Sequence, residues 1–487
     1  MSNTLSGLKP ESLWKHFEGI CSVPHPSKKE EKIREFVKNF GESLGLETII
    51  DEIGNVIIKK PATPGMENKK GVILQGHIDM VPQKNSDTAH DFDKDPIQAY
   101  IDGEWVKAKG TTLGSDNGIG VAAAMAILES TDIAHPPVEA LFTIDEETGM
   151  TGANELKSGI LSGDILINMD SEDEGELYIG CAGGVNTNME YIYSEDKVPE
   201  GMAAYKISVT GLKGGHSGLD IHLGRGNANL IINKLMMLAS EKFGLRLADI
   251  DGGSLRNAIP REAFATVVVK QANENNFKSF VNDFYEEQKV IYKQADPGLN
   301  IKVEPIATPA NLINESTQKN LFKAVDSCPN GVISMDPNMP DVVQTSTNLA
   351  VIKSENGIIE IATLQRSAVD ADRDAIAKKI ADNFTVNGAK AEFSGRYPGW
   401  KPNVDSPILQ TMKDVYNNNF GKVPEVKVIH AGLECGILGD KYPHWDMISF
   451  GPTIRNPHSP DEMVNIKTVE KFFDFLVETL KNIPNKN

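Results

Sequence analysis

Short apolar segments that run into a histidine or an acidic residue are the feature that most limits how this chain can fold. Three such segments stand out: 71–80 (GVILQGHIDM), 138–147 (VEALFTIDEE) and 164–170 (DILINMD). Apolar runs of this length are typical of buried strands. Ligands bind at the carboxyl ends of strands in open α/β sheets, so the polar residues after these runs are expected to converge. The pattern predicts an α/β layer with a functional site at one sheet edge.

Helical patterns surround these strands. Residues 29–45 place apolar side chains at helical spacing, and the alanine-rich part of 114–130 (GSDNGIGVAAAMAILES) is a strong helix former. We therefore expect helices to flank the sheet. Asp116 falls in the loop or first turn before the second helix, where it is either an N-cap or a functional carboxylate.

A chain of 487 residues is too long for one ordinary core, so two or three domains are expected. From Tyr205 onward a second, internally complete alternation of strands and helices begins. Residues 395–402 (GRYPGWKP) have the Gly and Pro content of a linker that returns to the first domain. The remaining tail is too short for its own core. We therefore predict a discontinuous first domain, 1–186 plus 398–487, and an inserted domain, 187–397.

Charge and cysteine content exclude several classes of protein. The chain carries 68 acidic against 49 basic residues, a formal charge of −19, which disfavours nucleic acid as a partner. We find no signal peptide and no apolar run long enough to span a bilayer, so no membrane partner and a cytoplasmic location are expected. The four cysteines are far apart and form no CxxC, which argues against a disulfide framework or a zinc ribbon.

The tail adds a histidine to the residues at the predicted sheet edge. His458 lies in a loop between Pro457 and Pro460, where neither a helix nor a central strand can form. Taken alone, it could be a surface histidine, just as His77 could be a hydrogen-bonded histidine at a strand end. Together, five residues form an imidazole and carboxylate set that suits two zinc ions sharing one carboxylate: His77, Asp116, Glu147, Asp170 and His458. Glu146 is then the natural general base.

Seven motifs carry a resemblance to a known family: QGHIDMVPQ, GSDNGIG, IDEETGMTGA, NMDSEDEGELYIGCAGG, GLKGGHSGLDIHLGRGNAN, HAGLECG and GPTIRNPHSPDE. They resemble the bacterial aminoacyl-histidine (Xaa-His, carnosinase-like) dipeptidases, within the co-catalytic dizinc aminopeptidases, carboxypeptidases and deacylases. The similarity extends over essentially the whole chain. It implies an α/β fold in which a discontinuous zinc-peptidase catalytic domain, with a mixed sheet flanked by helices, carries an inserted α+β lid domain.

The resemblance also implies roles for the metal-site residues. Asp116 would bridge the two ions. His77 and Asp170 would complete one ion, and Glu147 and His458 the other. Asp79 would orient His77, and Glu146 would activate a water that bridges the metals and then protonate the leaving amine.

Further roles follow from the same resemblance. His216, in GGHSG, would stabilise the tetrahedral intermediate from the lid; without the resemblance it would be a histidine in a β-turn. Relatives take this histidine from the same chain or from a partner, so a homodimer is compatible with the sequence. Asn257 is a candidate for the substrate carbonyl. Arg366 would bind the substrate carboxylate or form a surface ion pair, and Glu434 would bind the substrate amine or anchor a loop.

These observations predict a metal-dependent peptidase for small peptides. Its substrates would be dipeptides with a free amino terminus, with Xaa-His and β-alanyl-histidine implied by the resemblance. The ligand set favours two Zn²⁺, although Co²⁺ and Mn²⁺ occupy similar sites. Alternatives are a broad di- or tripeptidase, an N-acyl amino acid deacylase, and a metal- or peptide-binding module without catalysis. A serine hydrolase is disfavoured because no GxSxG elbow is present.

Overall fold

The structure of the chain, a computed structural model, describes residues 4–486. These residues group into two units. Unit 1 takes in the described residues up to Gly180, then Trp400–Val428 and those from Leu433 onward. Unit 2 takes in Cys181–Gly399 and Ile429–Gly432. The assignment of a catalytic and a lid role to residue ranges remains a prediction.

The first part of the chain alternates helices with short strands. Its helices are α1 (Glu11–Cys21), α2 (Glu31–Ser43), α3 (Ser115–Glu129), α4 (Glu146–Gly149) and α5 (Thr151–Glu155). Its strands are β1 (Glu47–Ile50), β2 (Val56–Lys60), β3 (Val72–His77), β4 (Ala99–Asp102), β5 (Trp105–Ala108), β6 (Val138–Thr143), β7 (Ile165–Asn168) and β8 (Glu176–Cys181).

The middle part of the chain is richer in strands. Its strands are β9 (Gly183–Ile192), β10 (Glu195–Lys197), β11 (Met202–Thr210), β12 (Gly215–His216), β13 (Arg246–Gly252), β14 (Ala258–Ile259), β15 (Ala263–Lys270), β16 (Asn300–Pro305), β17 (Asn311–Ile313), β18 (Gly331–Met335), β19 (Val343–Glu355), β20 (Ile358–Ser367) and β21 (Lys390–Tyr397). Its helices are α6 (Ala228–Phe243), α7 (Glu274–Ile291), α8 (Glu315–Asp326) and α9 (Asp370–Val386), with short 3₁₀ turns at Ile221–Leu223 and Gln271–Asn273.

The last part of the chain belongs to unit 1 except for residues 429–432. Its elements are α10 (Pro407–Phe420), β22 (Glu425–Ile429), α11 (Glu434–Lys441), β23 (Asp446–Ser449), β24 (Ile454–Arg455), β25 (Met463–Asn465) and α12 (Ile466–Lys481).

The main sheet of unit 1 is mixed. Its strand order is β1-β2-β6-β3-β7-β23-β8-β22. The central strands β6, β3, β7 and β23 are parallel to one another, whereas β1, β2 and β8 join by antiparallel pairing. Every residue of β3, β6 and β7 is buried, which explains why these strands have continuous apolar runs rather than an alternating pattern. A smaller antiparallel sheet, β24-β25-β5-β4, lies in the same unit.

Helix α3 packs closely against β3. Its residues from Asn117 to Leu128 are all buried, as expected for an alanine-rich helix inside a layered core. The approach requires a glycine at position 76, because a Cβ there would lie 2.2 Å from Asn117 Oδ1. Gly76 immediately precedes His77, so the close contact fixes the exit of β3 toward the sheet edge.

Unit 2 is built on a larger antiparallel sheet. Its strand order is β16-β11-β15-β13-β19-β20-β9-β21, and β18 pairs with β19. Helices α6 to α9 supply apolar residues to the core that covers this sheet, including Leu235, Phe277, Phe322 and Ile380. This arrangement of helices and an antiparallel sheet is an α+β fold.

The predicted fold class is confirmed, and the predicted linker at 395–402 is wrong only in its first three residues. Residues 395–402 were expected to form a linker, whereas β21 extends to Tyr397 and pairs with β9. The register is irregular between Ser394 and Tyr397, and Gly395 has φ +56°. A glycine that suggests a loop can equally accommodate an irregular strand pairing.

Helix α12 offers a direct test of local stability. Asn465 is its N-cap residue and accepts a hydrogen bond from the Thr468 amide at 3.1 Å. We expect Asn465→Ala to lower the free energy of unfolding by about 1 kcal/mol, or the melting temperature by about 2–4 °C, because the cap acceptor is lost. Asn465→Asp keeps an acceptor and should melt close to the parent protein. Equal thermal unfolding curves for the alanine variant and the parent would contradict this role of the cap.

Candidate metal centre

Three neighbouring parallel strands bring acidic and imidazole side chains to one edge of the unit 1 sheet. His77 is the last residue of β3 and pairs with Thr143, the last residue of β6. Asp170 follows the end of β7, and Glu146 and Glu147 follow β6. Parallel strands end at the same edge of a sheet, so residues from distant parts of the sequence meet there.

Asp116 lies between the two histidines of the group. It is near the start of α3, where the backbone is not yet helical (φ −84°, ψ 107°). Its Oδ1 lies 3.3 Å from His77 Nε2, and its Oδ2 lies 3.3 Å from His458 Nε2. Gly114, not Asp116, is the N-cap residue of α3, so the N-cap alternative is wrong.

The five residues named from the sequence form two overlapping donor sets. In set A, His77 Nε2 lies 3.4 Å from Asp170 Oδ1, and Asp116 is the third member. In set B, His458 Nε2 lies 2.9 Å from Glu147 Oε2, and Asp116 is again the third member. The ligand atoms of each set lie within 4.8 Å of one another. Each set therefore offers an imidazole nitrogen and two carboxylate oxygens, and Asp116 is common to both.

The orientation of His77 suits a cation. Its Nδ1 donates a hydrogen bond to the main-chain oxygen of Asp79 at 3.0 Å. In the neutral ring this leaves a lone pair on Nε2, which faces the carboxylate oxygens of Asp116 and Asp170. In addition, Asp170 Oδ1 and Glu147 Oε1 are buried without a hydrogen-bond partner. Electron-rich atoms that face one another in this way fit a divalent cation.

Burial makes the negative charge of this group costly. Burial, reinforced by neighbouring carboxylates, raises the pKa of the Asp170 carboxyl to about 7. It also raises the pKa of Glu147, against the opposing effect of His458. Asp116 is the exception: burial opposes its ionisation, but hydrogen bonds from His458 and His77 lower its pKa below the usual range. Positive charge at the two imidazoles thus stabilises the shared carboxylate.

The pKa values of both histidines are raised by the surrounding carboxylates. Hydrogen bonds to Asp116 and Glu147 raise the pKa of His458 to about 11, although partial burial opposes the change. Burial would lower the pKa of His77, but Asp170, Asp116 and Asp79 together raise it well above its ordinary value. The carboxylates thus favour the protonated, positively charged form of both imidazoles.

Glu146 extends into the same group. One of its carboxylate oxygens lies within 4.8 Å of ligand atoms of His77 and Glu147. Burial, together with Asp170, Glu434 and Glu147, raises its pKa well above the ordinary value, although His77 acts in the other direction. A carboxyl group with a raised pKa can both accept and release a proton near neutral pH.

Asp79 braces two parts of the group at once. Its Oδ1 lies 3.4 Å from His77 Nδ1. Its carboxylate also accepts hydrogen bonds from the backbone amides of Glu146 at 3.0 Å and Glu147 at 3.3 Å. Burial opposes its ionisation, but the His77 imidazole, and then the Glu146 amide, hold the pKa of Asp79 below its usual value. Asp79 therefore links the end of β3 to the start of α4.

Glu434 ends a buried network of polar side chains beneath this edge. Its Oε2 accepts hydrogen bonds from Gln75 Nε2 at 2.6 Å and from Thr143 Oγ1 at 2.8 Å. Gln75 in turn accepts one from Asn168, which accepts one from Ser449. Glu434 Oε1 is buried without a hydrogen-bond partner, and burial raises the pKa of the carboxyl to about 7. The network spans the four parallel strands.

Unit 2 holds the predicted His216. Its Nδ1 accepts hydrogen bonds from the backbone amides of Gly218 at 3.2 Å and Leu219 at 2.9 Å. The proton of the neutral ring therefore lies on Nε2. Burial, and then the positive charge of Arg366, lower the pKa of His216 to about 4, so the ring is neutral at pH 7. The imidazole is thus a fixed donor at Nε2.

Unit 2 also holds Arg366 and Asn257. Arg366 is 5% exposed, so the alternative of a surface ion pair is wrong. Its Nη1 donates to the Tyr397 hydroxyl at 2.9 Å, while its Nε is buried without a hydrogen-bond partner. Within the described chain no carboxylate lies within ion-pair distance of Arg366. The side chain of Asn257 is exposed, and its main-chain oxygen accepts a hydrogen bond from Ser217.

Sequence reasoning missed several residues that support the group. Gln75 and Thr143 bind Glu434 from inside the apolar strands, where the sequence alone suggests only core packing. Glu462 is 2% exposed and binds the segment that carries Asp116. The one available signal was its position four residues after His458 in the motif GPTIRNPHSPDE.

Named proteins with high similarity to the chain are dipeptidases. The chain is 45% identical over 482 residues to the cytosol non-specific dipeptidase of Escherichia coli (strain K12), and the match covers 99% of both sequences. It is 49% identical to the aminoacylhistidine dipeptidase of Vibrio alginolyticus, whose crystal structure matches with a TM-score of 0.95 over 99% of both chains. The structure of aminopeptidase PepT from Bacillus cereus matches at 16% identity with a TM-score of 0.62, over 98% of this chain and 99% of that one, which indicates a shared fold.

A separate feature concerns membranes and location. No helix in residues 4–486 combines the length and the apolar character needed to cross a bilayer. The E. coli relative is named as a protein of the cytosol, in agreement with the predicted cytoplasmic location.

The family follows from the extent of the sequence match. A model described as Peptidase family M20/M25/M40 matches residues 73–482, a range that includes every member of sets A and B. The predicted resemblance to aminoacyl-histidine dipeptidases and the prediction of a metallopeptidase are confirmed by this match and by the dipeptidase relatives. The chain belongs to Peptidase family M20/M25/M40.

Proposed function

We propose that the chain is a metal-dependent dipeptidase that hydrolyses dipeptides with a free amino terminus, Xaa-His among them. The observation that carries this proposal is the sharing of Asp116 by two histidine and carboxylate sets, with Glu146 beside them. A site that only stored metal would have no use for the additional carboxyl group of Glu146.

Sets A and B would hold two divalent cations. His77 and Asp170 would bind one, Glu147 and His458 the other, and Asp116 both. A mixed set of imidazole and carboxylate ligands favours Zn²⁺, and Co²⁺ or Mn²⁺ are compatible with it. Such a pair of ions supplies Lewis acidity, which polarises the scissile carbonyl and makes water easier to deprotonate.

Glu146 would carry the proton during hydrolysis. As a carboxylate it would take a proton from the attacking water, and as a carboxylic acid it would give that proton to the leaving amine. Its raised pKa supports both tasks. Asp79 would keep Glu146 in place through the backbone amide of that residue and would orient His77 through the imidazole.

Glu434 is our candidate for recognition of the substrate amine. Gln75 and Thr143 hold one of its oxygens, and the other has no hydrogen-bond partner. A buried carboxylate oxygen without a partner suits an ammonium group of the substrate, since charge-assisted hydrogen bonds are among the stronger ones. The alternative, that Glu434 only anchors its loop, predicts no preference for free amino termini.

Residues of unit 2 would bind other parts of the substrate. His216, with a proton fixed on Nε2, would donate to the oxyanion of the tetrahedral intermediate. Arg366 has donors without a carboxylate partner, which supports binding of the substrate carboxylate. Asn257 would bind the substrate carbonyl. A homodimer, and the choice between His216 of the same chain and that of a partner, remain predictions.

A second candidate concerns substrate range. The Vibrio relative is named for aminoacyl-histidine substrates, whereas the E. coli relative is named as non-specific. The two names support either an Xaa-His dipeptidase, with β-alanyl-histidine among its substrates, or a broad dipeptidase. An N-acyl amino acid deacylase is the less favoured alternative, because its substrates lack the amine that Glu434 would bind.

Metal binding should displace protons. The surrounding carboxylates raise the pKa of His77 above its ordinary value and that of His458 to about 11, and burial raises the pKa of Asp170 to about 7, so protons compete with metal ions for these groups. Ligands must lose these protons, so affinity for Zn²⁺ should rise with pH by about tenfold per unit for each proton displaced. Isothermal titration calorimetry in buffers of different ionisation enthalpy measures the release. We expect His458→Ala to release fewer protons and the exposed His444→Ala to match the parent; no proton release would contradict the ligand assignment.

Glu146→Gln tests the general base. The amide cannot accept the proton of the attacking water, so kcat should fall by about 10²–10⁴ while metal content stays unchanged. Mass spectrometry of bound metal and steady-state kinetics measure both quantities. Glu155→Gln removes an exposed carboxylate from α5 and should retain full activity. Parent-like turnover in Glu146→Gln would show that this residue is not the base.

A substrate panel tests recognition of the amine. We expect hydrolysis of free dipeptides, with Xaa-His, β-alanyl-histidine and other dipeptides compared by kcat/KM, and no hydrolysis of N-acetylated dipeptides. Glu434→Gln should lower kcat/KM for free dipeptides by about thirtyfold, equivalent to about 2 kcal/mol, because the charge-assisted hydrogen bond is lost. Cleavage of N-acyl amino acids without cleavage of free dipeptides would refute the dipeptidase proposal and favour a deacylase.

A further inference from the structure

Glu462 connects two loops of unit 1 that each carry a member of set B. It lies four residues after His458, and its side chain is buried. Both carboxylate oxygens bind the segment before and around Asp116. The contacts are Oε2 with the amides of Leu113 (2.8 Å) and Gly114 (3.0 Å), and Oε1 with the amide of Ser115 (2.8 Å), the hydroxyl of Ser115 (2.6 Å) and the amide of Asp116 (3.3 Å).

These amides need a partner from outside the helix. The first N–H groups of an α-helix have no intrahelical acceptor, and the N-cap residue of α3, Gly114, has no side chain to supply one. The two carboxylate oxygens of Glu462 act as the acceptors, although Glu462 lies 347 residues after Ser115 in the sequence. The non-helical backbone of Asp116 is thereby held by a distant carboxylate rather than by its own helix.

The loop on the other side also needs support. His458 has a positive φ of 59°, a conformation that non-glycine residues rarely adopt without constraint from their surroundings. Its side chain is 52% exposed, whereas those of Asp116 and Glu147 are 12% and 4% exposed. His458 is therefore the member of set B with the least packing around it, and it depends most on how its loop is anchored.

We propose that Glu462 is a positioning residue for set B, which fixes Asp116 and His458 relative to each other and so sets the affinity of set B for a divalent cation. Glu462 reaches set A only through Asp116. The other two members, His77 and Asp170, are positioned by buried strands, at the end of β3 and just after the end of β7. Loss of the Glu462 hydrogen bonds therefore lowers the cation affinity of set B far more than that of set A. The inference rests on the proposed two-metal site.

The test uses metal-free full-length protein titrated with Co²⁺ alone. Calorimetry and the visible absorption of Co²⁺ report the two binding steps without any measurement of activity. For Glu462→Gln we expect the affinity of the first step, binding at set A, to stay within about twofold of the parent value. The affinity of the second step, binding at set B, should weaken at least about tenfold, because the amide replaces one acceptor oxygen with a donor. Asp461→Asn, an exposed acid of the same loop that does not bind residues 113–116, is the matched control and should bind both ions like the parent.

Activity then gives a second readout. High metal concentration should restore kcat of Glu462→Gln, with KM for a dipeptide close to the parent value, because the substrate-binding groups are unchanged. The proposal would be overturned if Glu462→Gln lost affinity equally in both Co²⁺ binding steps and the metal-free variant melted at a correspondingly lower temperature. That result would mean that Glu462 has only a general structural role. Parent-like binding of both ions by the variant would also overturn it.

Two milder variants keep the test decisive if Glu462→Gln does not fold. Ser115→Ala removes one donor to Glu462, and Glu462→Asp shortens the side chain by one methylene. Both should weaken the second binding step by a few fold with little effect on the first, and parent-like second steps in both would refute the proposal. A parent protein that binds only one Co²⁺ would instead refute the two-metal site itself, so the two failures are distinguishable.

Discussion

The sharing of Asp116 between His77 and His458 is the interaction on which the centre depends. Each carboxylate oxygen faces the Nε2 atom of a different imidazole at 3.3 Å, so one side chain joins set A to set B. The neighbouring carboxyl groups of Asp170 and Glu147 are buried, and burial raises their pKa values. Their negative charge is therefore unfavourable unless a cation balances it. The carboxylates favour protons on the two imidazoles, and in the proposed function metal ions replace these protons.

Two carboxylates outside the donor sets bind the segments that carry members of those sets. Asp79 binds the amides at the start of α4, and Glu462 binds those at the start of α3. Asp79 contacts the His77 imidazole and two backbone amides, and Glu462 binds backbone amides and the Ser115 hydroxyl. A Lys or Arg bound to Glu462 would place a positive charge beside set B and oppose the binding of a cation there, whereas backbone amides carry no net charge. Support of this kind orients the ligands without neutralising them.

The sequence predicts the strands that carry the centre because those strands are buried on both faces. Continuous apolar runs indicated β3, β6 and β7, and His77, Glu147 and Asp170 lie at or just after the ends of these strands. Long polar strands were harder to recognise: β19 includes Ser346 and Asn348, which bind His430 and the carbonyls of Arg256 and Ala258. The role of Glu462 was not predictable, because hydrogen bonds between residues 347 positions apart leave no local pattern.

Glu462 and His458 lie in one short segment of the tail. Segment 451–462 supplies His458 of set B and, in the same loop, the carboxylate that binds the start of α3. A ligand on a loop is ordinarily less well positioned than one on a strand, as the exposure of His458 and its positive φ illustrate. The loop overcomes this weakness by binding the helix that bears the shared carboxylate, so that movement of His458 away from Asp116 would also require the hydrogen bonds of Glu462 to break. Set B is thus assembled when the tail folds onto the first part of unit 1, and its geometry depends on that docking more than the geometry of set A does.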